Sequence, residues 1–521
     1  MIWHILKKDW GQLWLLVTIS AVAQFANAGL WIALGHFQQP RELMIVAELF
    51  PAFVWIAIAV LAIAAVHQDV LPGVTQDWLI RPIRRADLLQ AKLSFVVIAV
   101  HGPMFAGDAI HGAATGFGLR ETLAAAISHN AAVLLVLELP VFALAAISRT
   151  MIQVIGSLLA TWLIVVAGVL TGTLLRGGTP PPFASSGMQW MTPAFWSLLA
   201  VSAAAAIIPM QYFRRSTTVA RRIAVCALLL APTLSFSTWS LAFSAQQRLS
   251  PQPAMAEPIG IAFDPAPERT PVDAAAVPAN TVLLPLRVYG LASESIVMSD
   301  RAVIQLVGGE GTTLFRGRTT GNSGNHDDFV VRKGIGGEVR TNQQITFSKK
   351  IYELVRGRPV RAEIEYSLTL FHLETSEAIS AINGDKRWAA FGWCKTSIDQ
   401  DGDEIEFGCL ELGAAPPCIG AFLENPVNGR RNPENLWCSP DYAPYRAQLY
   451  PDALSQFGGG VRFRDTQGLA KFPVDGSQLR DARIILKSYR PAAHFTRRLV
   501  IPEIRPEDWI ADTAVADSSP R

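Results

Sequence analysis

Long apolar segments dominate the first half of the chain and constrain its fold more than any other feature. Seven of them approach or exceed the roughly 20 residues that an α-helix needs to cross a bilayer. Because lipid offers the backbone no hydrogen-bond partners, each segment that crosses must be helical. The predicted spans are Leu13–Leu34, Glu48–Val66, Leu93–Gly112, Asn130–Ile147, Ile152–Leu174, Pro193–Tyr212 and Ile223–Ser244.

The composition changes near the middle of the chain and predicts two domains. Of the 521 residues, 50% are hydrophobic and 17% are charged, and the mean hydropathy of +0.27 is high for a soluble protein of this size. After Gln246 charges are frequent, and no apolar run approaches the length of a span. We therefore predict an α-helical membrane bundle over 1–245, a linker rich in Pro and Ala over 246–281, and a second domain over 282–521.

The distribution of Lys and Arg predicts which side of the membrane each connection faces. With a cytoplasmic N-terminus, the inner connections carry most of the basic residues, as the positive-inside rule requires. The inner residues are Lys7, Lys8, Arg81, Arg84, Arg85, Lys92, Arg149, Arg214, Arg215, Arg221 and Arg222, and the outer ones are Arg41, Arg120 and Arg176. Seven spans then place the second domain outside the cytoplasm, and a bacterial inner (plasma) membrane is the expected location. The basic residues do not cluster on one domain as in nucleic-acid binders, so we expect no nucleic-acid partner.

The N-terminal segment allows more than one interpretation. Lys7, Lys8, an apolar run and Ala26-Asn27-Ala28 resemble a cleavable signal peptide, but the run continues through Leu34, which favours a membrane span. The stretch Trp3–Trp10 predicts either an amphipathic segment on the inner surface or an extension of the first helix.

The second domain carries the alternation of β-structure. Between Val360 and Leu370, apolar residues at every second position alternate with polar ones, which is the period of a half-buried strand. Similar runs recur, and few stretches have a helical period. The pattern predicts an antiparallel β-sandwich-like domain, either one sandwich or two smaller β units.

Four of the five cysteines lie in this domain and predict disulfides. Their intervals of 15, 9 and 20 residues lack the short paired spacing of a zinc site, and an exported domain is in an oxidising compartment. A two-residue turn at Asp401-Gly402 places Cys394 opposite Cys409 across a hairpin. Cys418–Cys438 is then the second candidate pair, although the spacing leaves other pairings open.

The connection between the second and third spans predicts a docking site for a soluble partner. Val74, Trp78 and Leu79 give a short helix one apolar side, and Pro82 ends it. A short surface helix edged with Arg can serve as a compact projection for another protein. An ordinary basic loop that only sets topology is the alternative interpretation.

This connection resembles the corresponding loop of the type-2 permease family of ABC transporters. The resemblance covers Met1–Arg215, while a seventh span and a large external domain depart from the common form. It implies a separate cytoplasmic ATPase that contacts the loop helix at Asp77, Trp78, Arg81, Arg84 and Arg85. The stretches that carry it are Leu79-Ile80-Arg81-Pro82-Ile83-Arg84-Arg85, Leu88-Leu89-Gln90-Ala91-Lys92 and Phe213-Arg214-Arg215.

A phosphate-binding loop of the G-x-x-x-x-G-K-[ST] type does not occur in the sequence. If ATP drives this protein, the nucleotide site belongs to the partner chain. We therefore expect no catalytic residues, cofactor or metal in this chain, and we expect the lipid bilayer, the ATPase and a second copy of the chain as candidate partners.

Ionisable side chains inside the spans are the remaining candidate site. His101, Asp108 and His111 share one side of the third span, and Glu138 of the fourth span lies at a similar depth to His101. Such groups are costly in a bilayer and usually face a partner or a wet cavity. They could hold the two helices together, line a polar path for a substrate or protons, or, with less support, bind a metal ion.

Three functions follow from these features. The first is a permease-type subunit of an ABC exporter-like complex with a periplasmic or extracellular β domain. The second is a membrane-anchored extracytoplasmic binding or assembly protein without transport activity. The third, which has the least support, is a membrane-bound enzyme that uses His101, Asp108 and Glu138.

Overall fold

The computed structural model shows an α-helical N-terminal half and an antiparallel β-rich C-terminal half. This is the fold class that the hydropathy and alternation patterns predict. The structure describes residues 1–34, 41–68, 84–175, 191–231, 239–265, 280–320, 330–332, 339–388, 392–399, 401–412, 416–438, 454–464 and 472–509.

Ten α-helices form the described part of the N-terminal half, and two of the spans contain a π-helical turn. The helices are α1 Ile2–Leu34, α2 Arg41–His67, α3 Arg85–Val96, α4 Gly102–Ala114, α5 Leu119–Val133, α6 Leu139–Ile147, α7 Met151–Leu175, α8 Met191–Tyr212, α9 Thr217–Leu230 and α10 Trp239–Arg248. The π-helices are Val97–His101, between α3 and α4, and Leu134–Glu138, between α5 and α6.

Six helical segments among the described residues are long and apolar enough to cross a membrane. They match the first six predicted spans and are Ile2–Ile32, Leu49–His67, Arg85–Ala114, Leu119–Ile147, Met151–Gly172 and Ala194–Tyr212. The seventh predicted span, Ile223–Ser244, corresponds to α9 and α10, which flank residues 232–238 outside the described part of the chain.

The first helix runs without a break from Ile2 to Leu34. Of the two interpretations of the N-terminal segment, the structure therefore has the helix extension. Trp3 is 69% exposed and Trp10 is 41% exposed. Exposed tryptophans near the end of a membrane helix are typical of anchors at the membrane surface.

Several contacts gather the basic residues at one end of the bundle, which we call the basic end. Lys92 Nζ lies 2.8 Å from Asp9 Oδ2, which joins α3 to α1. The Arg85 guanidinium donates to the carbonyl of Phe213, and Arg221 donates to the carbonyl of Ile147 at 3.0 Å. Connections that the charge pattern assigns to one side of the membrane thus lie together.

The Asp9–Lys92 pair is buried at both ends and changes the interpretation of Lys92. Its side chain is 1% exposed and that of Asp9 0% exposed, whereas nearby Lys8 is 41% exposed. Lys92 is therefore not a solvated loop charge. Burying an ion is expensive unless a partner compensates it, so this pair fixes the position of α1 against α3.

Fifteen strands and one short α-helix are the main elements of the described part of the second half. The strands are β1 Gly260–Phe263, β2 Thr281–Tyr289, β3 Ser295–Val307, β4 Thr313–Thr320, β5 Val330–Arg332, β6 Val339–Thr346, β7 Val360–Ser380, β8 Asp385–Trp388, β9 Gly392–Ile398, β10 Glu404–Leu412, β11 Cys418–Asn425, β12 Arg430–Arg431, β13 Asn435–Cys438, β14 Leu454–Arg462 and β15 Arg483–Ile504, and the helix is α11 Lys349–Val355.

Two small sheets pack on one large sheet. The large one has eight strands, in the order β12-β11-β15-β7-β3-β4, with β13 on β11 and β5 on β3. The sheet β1-β2-β6 shares a core with one part of it, where Leu286 meets Ile304 and Ile364. The sheet β14-β10-β9-β8 shares a second core with the other part, where Phe407 and Ile484 lie. The long strands β7 and β15 therefore run through two sandwich-like layers.

Both predicted disulfides form, each across neighbouring antiparallel strands. Cys394 pairs with Cys409 between β9 and β10, and Cys418 pairs with Cys438 between β11 and β13. The Cα atoms lie 4.1 Å and 3.9 Å apart. The hairpin register predicted from Asp401-Gly402 is confirmed, with Ile398 opposite Ile405 and Cys394 opposite Cys409.

Part of the predicted linker belongs to the β domain. Strand β1 pairs with β2, with Ile261 opposite Val288. A short 3-10 turn at Pro253–Ala256 precedes it, and Arg497 of β15 donates to the carbonyls of Ile259 and Ala256 at 2.5 Å. Residues 266–279 of the linker lie outside the described residues.

Helix α10 joins the bundle to the β domain through aromatic contacts. Phe243 meets His494 of β15 edge to face at 6.2 Å, and Arg301 lies 4.6 Å from the ring centroid of Trp239. Burial lowers the pKa of His494 to about 4, so its imidazole is neutral near pH 7. A neutral ring can pack against Phe243 without the cost of a buried charge.

A second contact lies at the connection between α4 and α5. A Cβ atom placed on Gly392 of β9 would come within 3.0 Å of the Phe117 ring, so the β domain reaches this connection. The third span starts at Arg85, at the basic end, and finishes just before Phe117. The β domain therefore lies at the end of the bundle opposite the basic end.

Alkylation tests the disulfides. In the denatured, unreduced protein, one cysteine of five should react, the free Cys226, and prior reduction should expose all of them. Trypsin cuts after Lys395 and Arg430, and a protease that cleaves after glutamate cuts after Glu411. Together they place the four cysteines on separate peptides, so each predicted pair should appear as two peptides joined by a disulfide. Peptides that join Cys394 to Cys418 or Cys438 would contradict the pairing.

Substitution of Lys92 tests the buried ion pair. Lys92→Met should lower the free energy of unfolding in detergent by about 3–5 kcal/mol, because it removes the buried cation that compensates the Asp9 carboxylate. Lys8→Met removes an exposed charge from the same carboxylate and should change stability by less than about 1 kcal/mol. Equal effects of the two substitutions, measured by thermal denaturation, would refute this role for Lys92.

Candidate functional site

Two proline residues shape the third and fourth spans around their ionisable groups. Pro103 follows His101 by two positions, and Pro140 follows Glu138 by two positions. Each proline lacks an N–H donor, and its ring clashes with the carbonyl four residues before it. A wider π-turn just upstream accommodates the clash, and such turns are frequent at functional sites. His101 and Glu138 are the last residues of the two π-helices.

The two π-helices meet through a buried acid–base contact. His101 Nε2 lies 3.0 Å from Glu138 Oε2, and His101 Nδ1 lies 3.0 Å from Asn130 Oδ1. Of these residues, His101 is 7% exposed, Glu138 is 2% exposed and Asn130 is 9% exposed. The predicted proximity of His101 and Glu138 is thus found as a direct contact.

Asn130 extends the contact to a second acid–base pair. Its Nδ2 donates to the carbonyl of Ala126 at 2.8 Å and to Asp108 Oδ2 at 3.3 Å. His129 Nδ1 lies 2.7 Å from the same Asp108 oxygen. We call Glu138, His101, Asn130, Asp108 and His129 the polar network, which links α4 and its π-helix to α5 and the π-helix that follows.

His111 lies one turn beyond Asp108 on α4 and is 1% exposed. It is buried, as the pattern of the third span suggests, rather than placed at an open membrane interface. Within the described residues, no group of three or more His, Cys, Asp or Glu side chains is arranged to hold a metal ion. His101 contacts Asn130 and Glu138 of the next span. Asp108 contacts His129 and Asn130 of the same span.

The sequence patterns did not identify His129 and Asn130 as members of the site. The predicted fourth span begins at Asn130, whereas the helix begins at Leu119. An earlier start places both residues inside the span. The polar residues Ser128, His129 and Asn130 lower the mean hydropathy of any window that contains them, so the pattern favours a loop. In the structure this stretch is helical, and His129 and Asn130 are buried against Asp108.

Of the predicted ATPase contacts, Arg84 and Arg85 are described and Asp77, Trp78 and Arg81 lie outside the described residues. Arg84 is exposed and extended, with φ −62° and ψ 130°, immediately before α3. Arg85 is the first residue of the third span, and its guanidinium donates to the carbonyl of Phe213 at the end of the sixth span. This hydrogen bond joins the two spans.

Two open cavities of the β domain border β14, with volumes of about 590 Å³ and about 570 Å³. Both are lined by Glu404 and Gly460. Trp437 and Arg462 line the first cavity, and Lys395 lines the second. Glycine at position 459 lets the Trp437 ring pack directly on the backbone of β14, since a Cβ there would come within 2.8 Å of that ring.

Comparison with known proteins assigns no family. The chain matches no family model and no curated protein. A solved structure titled "pT26-6p" aligns at 7% identity with a TM-score of 0.10 and covers 41% of this chain and 61% of its own. A likeness of that size says nothing about fold or function. The structure identifies the chain as a membrane-helix bundle with a disulfide-bonded β domain.

A double-substitution cycle tests the acid–base contact. His101→Leu and Glu138→Leu should each destabilise the bundle by about 2–4 kcal/mol, because each leaves a buried polar group without its partner. The double variant should cost less than the sum by about 1–3 kcal/mol. Thermal denaturation in detergent measures the three effects, and strict additivity would contradict a direct contact.

Proposed function

We propose that the chain is a permease-type subunit of an ABC exporter-like complex in a plasma membrane. Its N-terminus lies in the cytoplasm and its β domain lies outside. A separate cytoplasmic ATPase docks at the basic end, and the spans move in response. The polar network is the single observation that carries the proposal.

A simple anchor does not need the polar network. One apolar helix suffices to hold a domain at a membrane, and each buried ionisable group adds a cost. In this bundle two acid–base pairs lie between spans 3 and 4, and both spans are broken by π-turns beside them. Broken helices and intramembrane ionisable groups are features of helices that move or line a path.

The basic end supports the place of the ATPase. The second span ends at His67 and the third begins at Arg85, and the proposed contacts Asp77, Trp78 and Arg81 belong to the connection between them, outside the described residues. Arg85, the first residue of the third span, donates to the carbonyl of Phe213 at the end of the sixth span. A force applied to the loop would therefore reach the third and sixth spans together.

The cavities of the β domain favour a second candidate function. Trp437, Glu404 and Arg462 combine an aromatic face with both charges in an open cavity of about 590 Å³. Polar groups beside an aromatic ring are typical of sites that bind a small molecule or a peptide. In this alternative the chain is a membrane-anchored binding or assembly protein without transport activity.

A matched pair of charge reversals tests the docking site. The protein solubilised from its native membranes should retain ATP hydrolysis, and Arg84→Glu should reduce the retained activity at least about tenfold, the effect of 1.4 kcal/mol. Arg222→Glu makes the same charge change on an exposed residue of α9 at the same end and should leave the activity unchanged. No ATPase with the wild-type chain, or equal losses in both variants, would contradict the proposal.

A further inference from the structure

We infer that the contact between His101 and Glu138 is a proton-binding site, and that loss of its proton separates spans 3 and 4. The inference rests on the hydrogen-bond pattern of the bundle and not on the proposed ATPase partner. It gives the bundle a ligand of its own, a proton exchanged with one of the two compartments.

The orientation of the Asn130 amide determines where the first imidazole proton lies. Its Nδ2 is 2.8 Å from the carbonyl of Ala126, and a flipped amide would place two oxygens at that distance. Oδ1 therefore faces His101 Nδ1 at 3.0 Å and must accept. The Nδ1 atom of His101 carries a proton in any state of this contact.

One further proton lies between His101 and Glu138. At 3.0 Å, a hydrogen bond between Nε2 and Oε2 needs one hydrogen, on the imidazole or on the carboxyl. The first case is a cation beside a carboxylate, and the second is a neutral ring beside a neutral acid. Both states have zero net charge, which is the state that an apolar surrounding favours.

Removal of that proton leaves two lone pairs facing each other and a net charge of −1. Glu138 Oε1 is buried and has no hydrogen-bond partner among the described residues. The Glu138 carboxylate would therefore lose its one described hydrogen-bond donor when His101 Nε2 is deprotonated. A buried carboxylate in that position is unstable, so the contact should open when the proton leaves.

Other ionisable groups near the contact are few. Across Asn130 lie Asp108 and His129, which pair with each other. Buried His111 follows on α4. The helices packed on the two π-helices carry their remaining titratable or charged residues near their ends, namely His4, Lys7, Lys8 and Asp9 of α1, Arg85, Asp87 and Lys92 of α3, Arg120 and Glu121 of α5, and Tyr212 of α8.

The π-helices give this proton a mechanical effect. A π-turn holds one residue more than an α-turn, so its conversion to α-helix turns the following segment by about 100°. His101 and Glu138 end the two π-turns and hold them against each other. Release of the contact therefore frees both spans to change register around the polar network.

Amide hydrogen exchange at two pH values tests the inference. In wild-type protein, protection of peptides spanning 97–104 and 134–141 should fall at least about tenfold more between about pH 5 and about pH 9 than that of a β7 peptide, after correction for intrinsic exchange. Glu138→Gln should remove this dependence, because its amide donates to a neutral His101 at every pH. Glu121→Gln, an exposed carboxyl of α5, should keep the wild-type response.

The reciprocal variant controls for folding defects. His101→Glu combined with Glu138→His recreates one shared proton and should show the pH dependence that Glu138→Gln removes. A wild-type response in Glu138→Gln would overturn the inference, as would pH-independent exchange in the wild-type protein. A folded reciprocal variant without pH dependence would overturn it as well.

Discussion

The bilayer offers no hydrogen bonds, and every feature of the N-terminal half follows from that constraint. Backbone groups must pair within each span, and the six apolar spans among the described residues are helical from end to end. Polar side chains must find each other, so Lys92 meets Asp9 and His101 meets Glu138. Pro103 and Pro140 fit this scheme, because each follows a π-turn whose last residue, His101 or Glu138, is buried in the bundle. Exposed positions are left to large apolar residues such as Ile152 and Leu163.

The basic end of the bundle and the β domain lie at opposite ends of the helices. Basic residues gather at one end of the bundle, and the β domain contacts Phe117 at the other. That domain holds two disulfides, which persist in oxidising compartments. Its large sheet is built on β7 and β15, and β15 also receives α10 from the bundle. A movement of the helices would thus reach the center of the β domain through His494, and the proposed permease would use that route to link an internal energy source to an external site.

Sequence patterns predicted the features that depend on period and spacing. Hydropathy located six spans, and the turn at Asp401-Gly402 set the register that joins Cys394 to Cys409. Features that depend on a partner far along the chain were not predictable in the same way. The sequence pattern assigned Lys92 to an inner connection, because its partner Asp9 lies far away in the sequence. It placed His129 outside the fourth span, because the partner that stabilises it, Asp108, belongs to another helix. In the predicted linker, Pro and Ala hid β1, which is held by pairing to β2 and not by its own propensity.

A pair of reporter fusions tests the central claim that an odd number of crossings separates the basic end from the β domain. One reporter is a fluorescent protein that matures only in the cytosol, and the other is a phosphatase that needs disulfides. Fused after Arg215, the fluorescent protein should be bright and the phosphatase inactive. Fused after Arg521, the phosphatase should be active and the fluorescent protein dark. The same reporter active at both positions would contradict the account.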